Sequence, residues 1–166
     1  CVNVGTKYPK EYTERLYNMV KRNTTKDFKF FVYTDNLDLY PEEHFNVIPH
    51  TTSDVGWWCK VNLFKPGVLP LGEYVYFDLD VIIVDNIDEI FDYETFAIIR
   101  DFIRPDEGLL PGPEYNSSIM KFDVRRCSGI YEFYNQNRKA WKKYQEKIHF
   151  FGDQVVISQY MNHYPE

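Results

Sequence analysis

Two carboxylates stand one residue apart in the segment YVYFDLDVII (74–83), where Asp78 and Asp80 flank Leu79. In an extended strand, residues i and i+2 point to the same side, so the two carboxylates would repel each other unless a cation lies between them. The spacing therefore predicts a metal site formed by Asp78 and Asp80. Oxygen ligands of this kind suit Mn²⁺ or Mg²⁺.

A structural explanation of this pair stays open, in which both residues are solvated acids at the end of a strand. A chain with 25 acidic residues contains Asp-X-Asp spacings by chance. Two unpaired charges beside an apolar run are costly, however, unless their pKa values shift. The metal interpretation of Asp78 and Asp80 is therefore favoured.

Strands and helices that would position the two carboxylates alternate along the chain. The predicted strands have apolar, β-branched or aromatic runs bounded by turn residues, and they lie at 1–4, 28–36, 45–50, 96–101 and 114–123. Residues 74–86 predict two further strand halves with a kink at 78–80. The predicted helices have apolar residues on one face. One begins after residue 9 and is about 14 residues long, and the others lie at 57–65, 124–147 (broken near Gly129) and 152–164.

Length and charge limit the possible functions. A chain of 166 residues favours a single domain. Its net charge of −6 argues against nucleic acid as a partner, because surfaces that bind nucleic acid are basic. Any anionic ligand must then be held locally, by a metal or a few basic groups. Because no apolar run approaches about 18 residues, we expect no membrane span in this chain.

The cysteines indicate a reducing compartment. Cys1, Cys59 and Cys127 are odd in number, far apart and without C-x-x-C spacing, so they predict neither a zinc site nor a disulfide framework. The start of the sequence also lacks the pattern of a signal peptide. We therefore favour the cytoplasm as the expected location.

Five separated segments resemble, in order, those of nucleotide-sugar glycosyltransferases of the GT-A fold, most closely the glycogenin-like family 8. They are CVNVGTKYPKEYTERLYNMV (1–20), FKFFVYTDN (28–36), WWCKVNLFKPGVLPLGEYVYFDLDVIIVDNIDEIF (57–91), YNSSIMKF (115–122) and FGDQVVIS (151–158). The resemblance covers almost the whole chain. It implies one GT-A-like catalytic domain over residues 1–166, an α/β fold whose central mixed sheet has a Rossmann-like N-terminal half and helices on both faces.

The resemblance also implies a site for the donor nucleotide-sugar. Tyr8 would stack on the uracil with Val4 and Thr6 beside it, and Asn116 would hydrogen-bond hydroxyls of the donor sugar. Structural alternatives stay open for two of these residues. Aromatic side chains such as Tyr8 more often pack in cores, and an Asn beside two serines can bind neighbouring backbone groups.

A second set of residues would carry the reaction itself. By the resemblance, Asp78 and Asp80 would hold a divalent cation that neutralises the departing diphosphate, and Asp78 would also contact the donor. Lys60 would reach the diphosphate or the donor sugar. Asp153 and Gln154 would face the reactive sugar carbon, and transfer would proceed with retention. The alternatives are that Lys60 is a solvated surface lysine and that Asp153 only caps a helix.

The chain also departs from the family pattern. The third metal ligand of the family is a His in a late HFxGxxKPW-like motif, which this sequence does not contain. His149 and His163 are poor substitutes, so we expect either a domain without its C-terminal segment or a metal shell completed by water. Phe150 and Phe151 stand before the Gly-Asp-Gln segment, where they would narrow the acceptor side, and residues 105–113 predict the main surface loop.

These features predict a Mn²⁺- or Mg²⁺-dependent transferase that moves a hexose from a UDP-sugar to a hydroxyl acceptor on a glycan, a protein or a small molecule. A nucleotidyltransferase of the same fold stays open, although GTKYPKEY (5–12) has one Gly where that class carries a Gly-rich basic loop. A non-catalytic nucleotide-sugar-binding module is the other alternative. FDLDVIIVDN (77–86) also resembles the first motif of haloacid-dehalogenase phosphatases, but Val81 and Ile82 replace the Gly and Thr of that motif.

Overall fold

A computed structural model describes residues 1–101, 115–148 and 152–164. The predicted surface loop at 105–113 and the residues His149, Phe150 and Phe151 lie outside these ranges. The strands are β1 (Val2–Asn3), β2 (Phe30–Thr34), β3 (Phe45–Pro49), β4 (Glu73–Phe77), β5 (Ala97–Arg100) and β6 (Tyr115–Asp123). The helices are α1 (Lys10–Arg22), α2 (Trp58–Val61), α3 (Asp88–Phe91), α4 (Ser128–Gln136), α5 (Arg138–Ile148) and α6 (Gly152–His163), with short 3₁₀ helices at Leu37–Leu39 and Asn62–Phe64.

The strands form two sheets of three strands each within the described residues. One sheet is parallel, in the order β1-β2-β3, and the other is antiparallel, in the order β4-β6-β5. The α/β class is as predicted, but the single mixed sheet is not found. β1 has only two residues and so offers few backbone groups that could join β2 to a further strand.

Both sheets contribute to the same two hydrophobic cores. Adjacent strand residues point to opposite faces, and Val32 and Phe77 lie in one core whereas their neighbours Tyr33 and Tyr76 lie in the other. We call the first the α1 core, because Leu16 and Val20 of α1 pack in it, and the second the α6 core, because its members include residues of α2, α4 and α6. Helices therefore cover both faces of the strands, as predicted.

Helix α1 illustrates how the local sequence sets an element. Its apolar residues Leu16 and Val20 are buried on one face, while Glu11 lies in the first turn and Lys21 and Arg22 lie in the last. This distribution of charge is favourable with the helix dipole. None of the described helices is long and apolar enough to cross a membrane.

Two sequence-based predictions of element boundaries are wrong. The strand predicted after the kink at 78–80 does not form, because the Val81 N–H donates to the Asp78 carbonyl at 3.2 Å and the chain turns away from β6. Ile82 and Val84 are consequently 77% and 87% exposed. The last long helical segment breaks at Asn137, between α4 and α5, instead of near Gly129.

Candidate functional site

The predicted site residues come from five segments of the chain. They are Val4, Thr6 and Tyr8 in the loop after β1, Lys60 in α2, Asp78 and Asp80 in the turn after β4, Asn116 in β6, and Asp153 and Gln154 in the first turn of α6. Hydrogen bonds and ion pairs join some of these residues directly. For Val4, Thr6, Asn116 and Gln154, the interactions found in the described part of the chain include no contact with the carboxylate of Asp78, Asp80 or Asp153.

Lys60 is the centre of the site and is buried, with 7% of its surface exposed. Its Nζ lies 3.0 Å from Oδ1 and 3.1 Å from Oδ2 of Asp78, and 3.3 Å from Oδ2 of Asp153. It also donates to the Ser117 hydroxyl at 3.0 Å and to the Ser117 carbonyl at 3.2 Å. Lys60 is therefore not a solvated surface lysine.

The charges in this cluster shift one another's protonation. Burial by itself would lower the pKa of Lys60, but the carboxylates of Asp153 and Asp78 outweigh it and raise that pKa. Burial raises the pKa of Asp153, and the nearby Asp78 adds to the rise, although Lys60 opposes it. Lys60 is thus a charged ammonium at neutral pH. Because the carboxylates of Asp78 and Asp153 share the single ammonium of Lys60, the cluster favours the approach of a further positively charged group.

Two buried hydroxyls fix the carboxylates, and sequence reasoning missed both. The Tyr76 hydroxyl donates to Asp78 Oδ1 at 2.5 Å, and its ring lies 5.1 Å from Lys60 Nζ. The Ser117 hydroxyl donates to Asp153 Oδ2 at 2.5 Å. The signal for Tyr76 was its position two residues before Asp78, on the same side of the strand. No spacing in the sequence indicated that Ser117 meets α6.

Asp80 is exposed and contacts the predicted base-binding residue. The Tyr8 hydroxyl donates to Asp80 Oδ2 at 2.6 Å. Burial raises the pKa of Tyr8 and the hydrogen bond to Asp80 raises it further, so this hydroxyl stays neutral. The Tyr8 ring is half-buried, 5.0 Å from the ring of Tyr12 and beneath the Lys7 ammonium. The predicted base-binding residue and the predicted metal ligand thus meet.

Asn116 and Gln154 are chain neighbours of Ser117 and Asp153, and Val4 and Thr6 lie in the loop that contains Tyr8. Asn116 is buried, and its Oδ1 accepts from the Ser118 N–H at 2.9 Å, so it satisfies neighbouring backbone as one alternative proposed. Gln154 Nε2 lies 3.5 Å from the Tyr115 carbonyl, which is long for a hydrogen bond. Val4 is half-buried and Thr6 exposed, and their loop is held by the Asp35 carboxylate, which accepts from Gly5 N–H at 3.1 Å.

The donor set fits a cation that takes few protein ligands. No group of three or more His, Cys, Asp or Glu side chains suited to a metal occurs in residues 1–101, 115–148 and 152–164. Mg²⁺ is commonly held by one or two carboxylates together with waters and substrate phosphates, which a pair of aspartates can supply. Asp78 already binds Lys60 and Tyr76, whereas Asp80 is exposed and meets a neutral hydroxyl. Asp80 is therefore the better placed of the two predicted ligands.

His163 does not complete this site. It lies at the last position of α6, ten residues after Asp153, which corresponds to about 15 Å along a helix axis. Its ring contacts those of Phe133 and Tyr164. Of the two histidines considered as third ligands, His149 lies outside the described residues and His163 has a packing role.

The site combines a buried ion-pair cluster with an exposed carboxylate and a half-buried aromatic ring. Its members are far apart in sequence, and they come from α2, from the ends of β1 and β4 and from the starts of β6 and α6. Comparison of the sequence with models of protein families and with curated proteins finds no match. The resemblance of the five segments to family 8 stays a prediction, and a functional proposal must rest on the site.

Proposed function

We propose that this protein is a metal-dependent glycosyltransferase of GT-A-like fold that transfers a hexose from a UDP-sugar to a hydroxyl acceptor with retention. The observation that supports it best is the contact of Lys60 with both Asp78 and Asp153. A buried ion-pair cluster contributes little net stability because its charges must be desolvated. Such clusters with shifted pKa values are candidates for functional sites.

Charge on the donor explains why the cluster would be useful. A nucleoside diphosphate leaves with negative charge, and preorganised positive groups stabilise that charge in the transition state. Lys60 is held in one position by two carboxylates and Ser117, so it would supply positive charge without reorganisation. Asp80 and Asp78 would hold Mn²⁺ or Mg²⁺, which when bound neutralises part of the diphosphate charge.

The other residues would orient the donor. Tyr8 would carry the uracil on its ring while its hydroxyl keeps the Asp80 carboxylate in place. Asn116 has an amide NH₂ with which it would bind a sugar hydroxyl, because its oxygen already accepts from Ser118. Asp153, oriented by Ser117, would stabilise positive charge that develops at the reacting sugar carbon, and Gln154 follows it on α6.

Melting temperatures with UDP, with and without Mn²⁺, test the binding part of the proposal. A ligand at about 100 times its Kd adds about 2.7 kcal/mol of stability, which is on the order of 5–10 °C for a domain of this size. We expect this shift for the native chain only when Mn²⁺ and UDP are both present. Asp80→Ala should abolish it, whereas Asp85→Ala, at an exposed aspartate in the same loop, should retain it.

Product analysis tests the catalytic part. With a panel of UDP-hexoses and Mn²⁺, we expect release of UDP and free or transferred hexose. Lys60→Met should reduce the rate by at least about 100-fold, because losing one preorganised electrostatic group costs about that much, while Lys139→Met at an exposed position should not. Release of pyrophosphate from UTP and a hexose 1-phosphate, in a parallel assay, would identify a nucleotidyltransferase instead. Binding of UDP without turnover of any donor would identify a binding module.

A further inference from the structure

Trp57 is the most exposed of the three tryptophans of the chain, with 49% of its surface exposed. Trp58 is 6% exposed and stacks on Tyr134, with 5.2 Å between the ring centroids. Trp141 is half-buried, and its ring lies 5.5 Å from that of Phe133. A large apolar side chain that stays in contact with water is informative, because aromatic side chains of this kind are common at binding surfaces.

The backbone of Trp57 is held in the turn that also carries Lys60. Trp57 has helical angles, with φ −58° and ψ −31°, directly before α2, and its carbonyl accepts from the Lys60 N–H at 3.1 Å. Residues three apart in a helical turn are neighbours on one face. Trp57 and Lys60 therefore lie on the same face of one turn.

Trp57 also packs against the start of α6. Gly152, the first residue of α6, has a φ of +27°, and a Cβ at this position would lie 2.7 Å from the Trp57 Cβ and 2.9 Å from its Cε3. These distances are shorter than van der Waals contact, so the absence of a side chain at Gly152 lets the indole lie this close to the backbone. Trp57 thus packs on the residue that precedes Asp153, the carboxylate proposed to face the reacting sugar carbon.

The contacts follow an order from the proposed base site to the start of α6. Tyr8 binds the exposed carboxylate of the turn after β4. Lys60 and Asp153 form the buried ion pair, and Trp57 packs on Gly152. A donor with its base on Tyr8 and its diphosphate at Lys60 would have its reacting carbon at Asp153. Trp57 comes next in this order, where an acceptor must approach that carbon.

We propose that the acceptor is a neutral sugar whose ring stacks on the exposed indole of Trp57. This inference rests on the proposed transferase function. A sugar ring has a face of polarised C–H groups, which the negative face of an aromatic ring attracts, and stacking removes apolar surface of both partners from water. The same ring carries hydroxyls at its rim, and one of these can reach the carbon at Asp153.

The chemistry of the site selects a sugar among hydroxyl acceptors. Because the carboxylates of Asp78 and Asp153 share one ammonium, an acceptor with carboxylate or phosphate groups would meet like charge. A serine or threonine of a polypeptide has a hydroxyl but no flat apolar face that matches the indole. A neutral sugar combines the hydroxyl with such a face in one group.

The transfer itself exchanges one bond for another. The acceptor oxygen forms a bond to the reacting carbon of the donor, and the bond between this carbon and the diphosphate oxygen breaks with its electron pair on UDP. The hydroxyl proton of the acceptor is released. Stacking on Trp57 would fix the sugar ring that carries this hydroxyl and thereby reduce the cost of orienting it.

Saturation-transfer NMR titrations with methyl glycosides of glucose, galactose, mannose and N-acetylglucosamine test the stacking without any donor. We expect at least one glycoside to bind the native chain. Trp57→Ala should weaken that binding by about tenfold, because it removes the apolar surface that the sugar covers. Trp57→Phe keeps a smaller ring and should lose less. Tyr93→Ala, at an aromatic residue that is 58% exposed, is the matched control and should bind as the native chain does.

Kinetics separate this role from a role in donor binding. With a UDP-hexose as donor and the bound glycoside as acceptor, Trp57→Ala should raise the acceptor KM by about tenfold and leave kcat at saturating acceptor within about twofold of native. Hydrolysis of the donor without acceptor should not change. The rise in melting temperature with UDP and Mn²⁺ should also be retained, and the melting temperature without ligand shows that each variant is folded.

Each part of the proposal has a result that would overturn it. If none of the four glycosides binds the native chain, the acceptor is not a neutral sugar. Equal glycoside affinity in native protein and Trp57→Ala would exclude Trp57 as the binding surface, and loss of the UDP shift in Trp57→Ala would assign Trp57 to the donor instead. Failure of the transferase proposal gives a different result, in which no donor is turned over although glycoside binding still depends on Trp57.

Discussion

Lys60 and its two carboxylates show how a single residue can set the electrostatics of a site. Its ammonium lies within 3.3 Å of Asp78 and Asp153, and each carboxylate is bound by a further hydroxyl, from Tyr76 or Ser117. A network in which every member has a partner is rigid, and it holds its charges in fixed positions. Fixed charges are what a departing diphosphate requires.

Tyr8 offers a test at the same scale, because its ring and its hydroxyl have separate roles in the proposed site. Loss of an aromatic ring that stacks on a base costs about 1–3 kcal/mol, so Tyr8→Ala should weaken UDP binding by about 5- to 150-fold. Tyr8→Phe keeps the ring and removes only the hydroxyl that donates to Asp80, so it should lose less UDP affinity than Tyr8→Ala. Isothermal titration with UDP and Mn²⁺ measures both.

Tyr12→Phe is the matched control for this pair, because the Tyr12 ring packs beside Tyr8. An equal loss of affinity in Tyr8→Phe and Tyr8→Ala would assign the effect to the hydroxyl and to Asp80 instead of the ring. Unchanged affinity in all three variants would remove Tyr8 from the proposed site.

The sequence identified candidate site residues that belong to a recognisable motif, and it did not identify those that have no distinguishing pattern around them. Asp78, Asp80, Lys60 and Asp153 could be selected because paired carboxylates and a matched lysine stand out in a sequence. Ser117 could not be selected, because a serine in a strand has no distinguishing pattern. Its contact with Asp153 depends on how α6 packs against β6, which spacing along the chain does not specify.

At the level of elements, Asp54 joins the loop before α2 to α4 and α5. Its side chain is fully buried and accepts from the Tyr134 hydroxyl at 2.7 Å and from Asn62 Nδ2 at 3.2 Å. Arg138 also donates to it, and Lys142 Nζ lies 3.3 Å away. Burial raises the pKa of Asp54, but these partners outweigh that effect and hold the pKa below its usual value.

Removing this charge should destabilise the protein. Breaking a buried ion pair by removing one partner costs about 3–5 kcal/mol, so Asp54→Asn should lower the free energy of unfolding in urea at pH 7 by roughly 3 kcal/mol. Asp38→Asn, at an exposed aspartate, should change it by less than about 0.5 kcal/mol. A loss below about 1 kcal/mol in Asp54→Asn would mean that this carboxylate does not hold the helices in place.

The pH dependence of this effect has a definite sign. A carboxylate whose pKa is lowered on folding stabilises the folded state above its unfolded pKa of about 3.9, and that stabilisation is lost as the pH falls through the folded value. The difference between native protein and Asp54→Asn should therefore be constant from pH 5 to pH 7 and shrink below about pH 4. Urea unfolding at several pH values measures it.

Element prediction succeeded where the apolar pattern matched one regular structure. The periodicity of α1 and the apolar runs of β2, β3 and β6 gave the correct type. The strand predicted at residues 81–84 was wrong, because Val81, Ile82 and Val84 are residue types that are common in strands. A hydrogen bond from the Val81 N–H to the Asp78 carbonyl nevertheless forms a turn, which ends the pairing of this segment with β6. Local composition does not predict such a bond.

In the whole molecule, a cavity of about 410 Å³ lies between β2 and β4. All five residues of β4 line this cavity, and the Asp-X-Asp turn follows β4 directly. Sequence periodicity predicts which residues face a core but not which strands are neighbours. The sequence therefore predicted α/β architecture with helices on two faces, and it did not predict the separation into two sheets or the cavity between them.

The site draws its residues from the loop after β1, the turn after β4 and the start of α6, so a ligand bound there should stabilise these segments together. A ligand suppresses those opening motions that destroy its site. We therefore expect UDP with Mn²⁺ to slow amide hydrogen exchange at residues 4–8 and 78–81, and at 152–156 through the ion pair of Lys60 with Asp153. Exchange in α3 should not change. UDP with EDTA, and Asp80→Ala with UDP and Mn²⁺, should give no protection, and protection confined to one of the three segments would contradict a shared site.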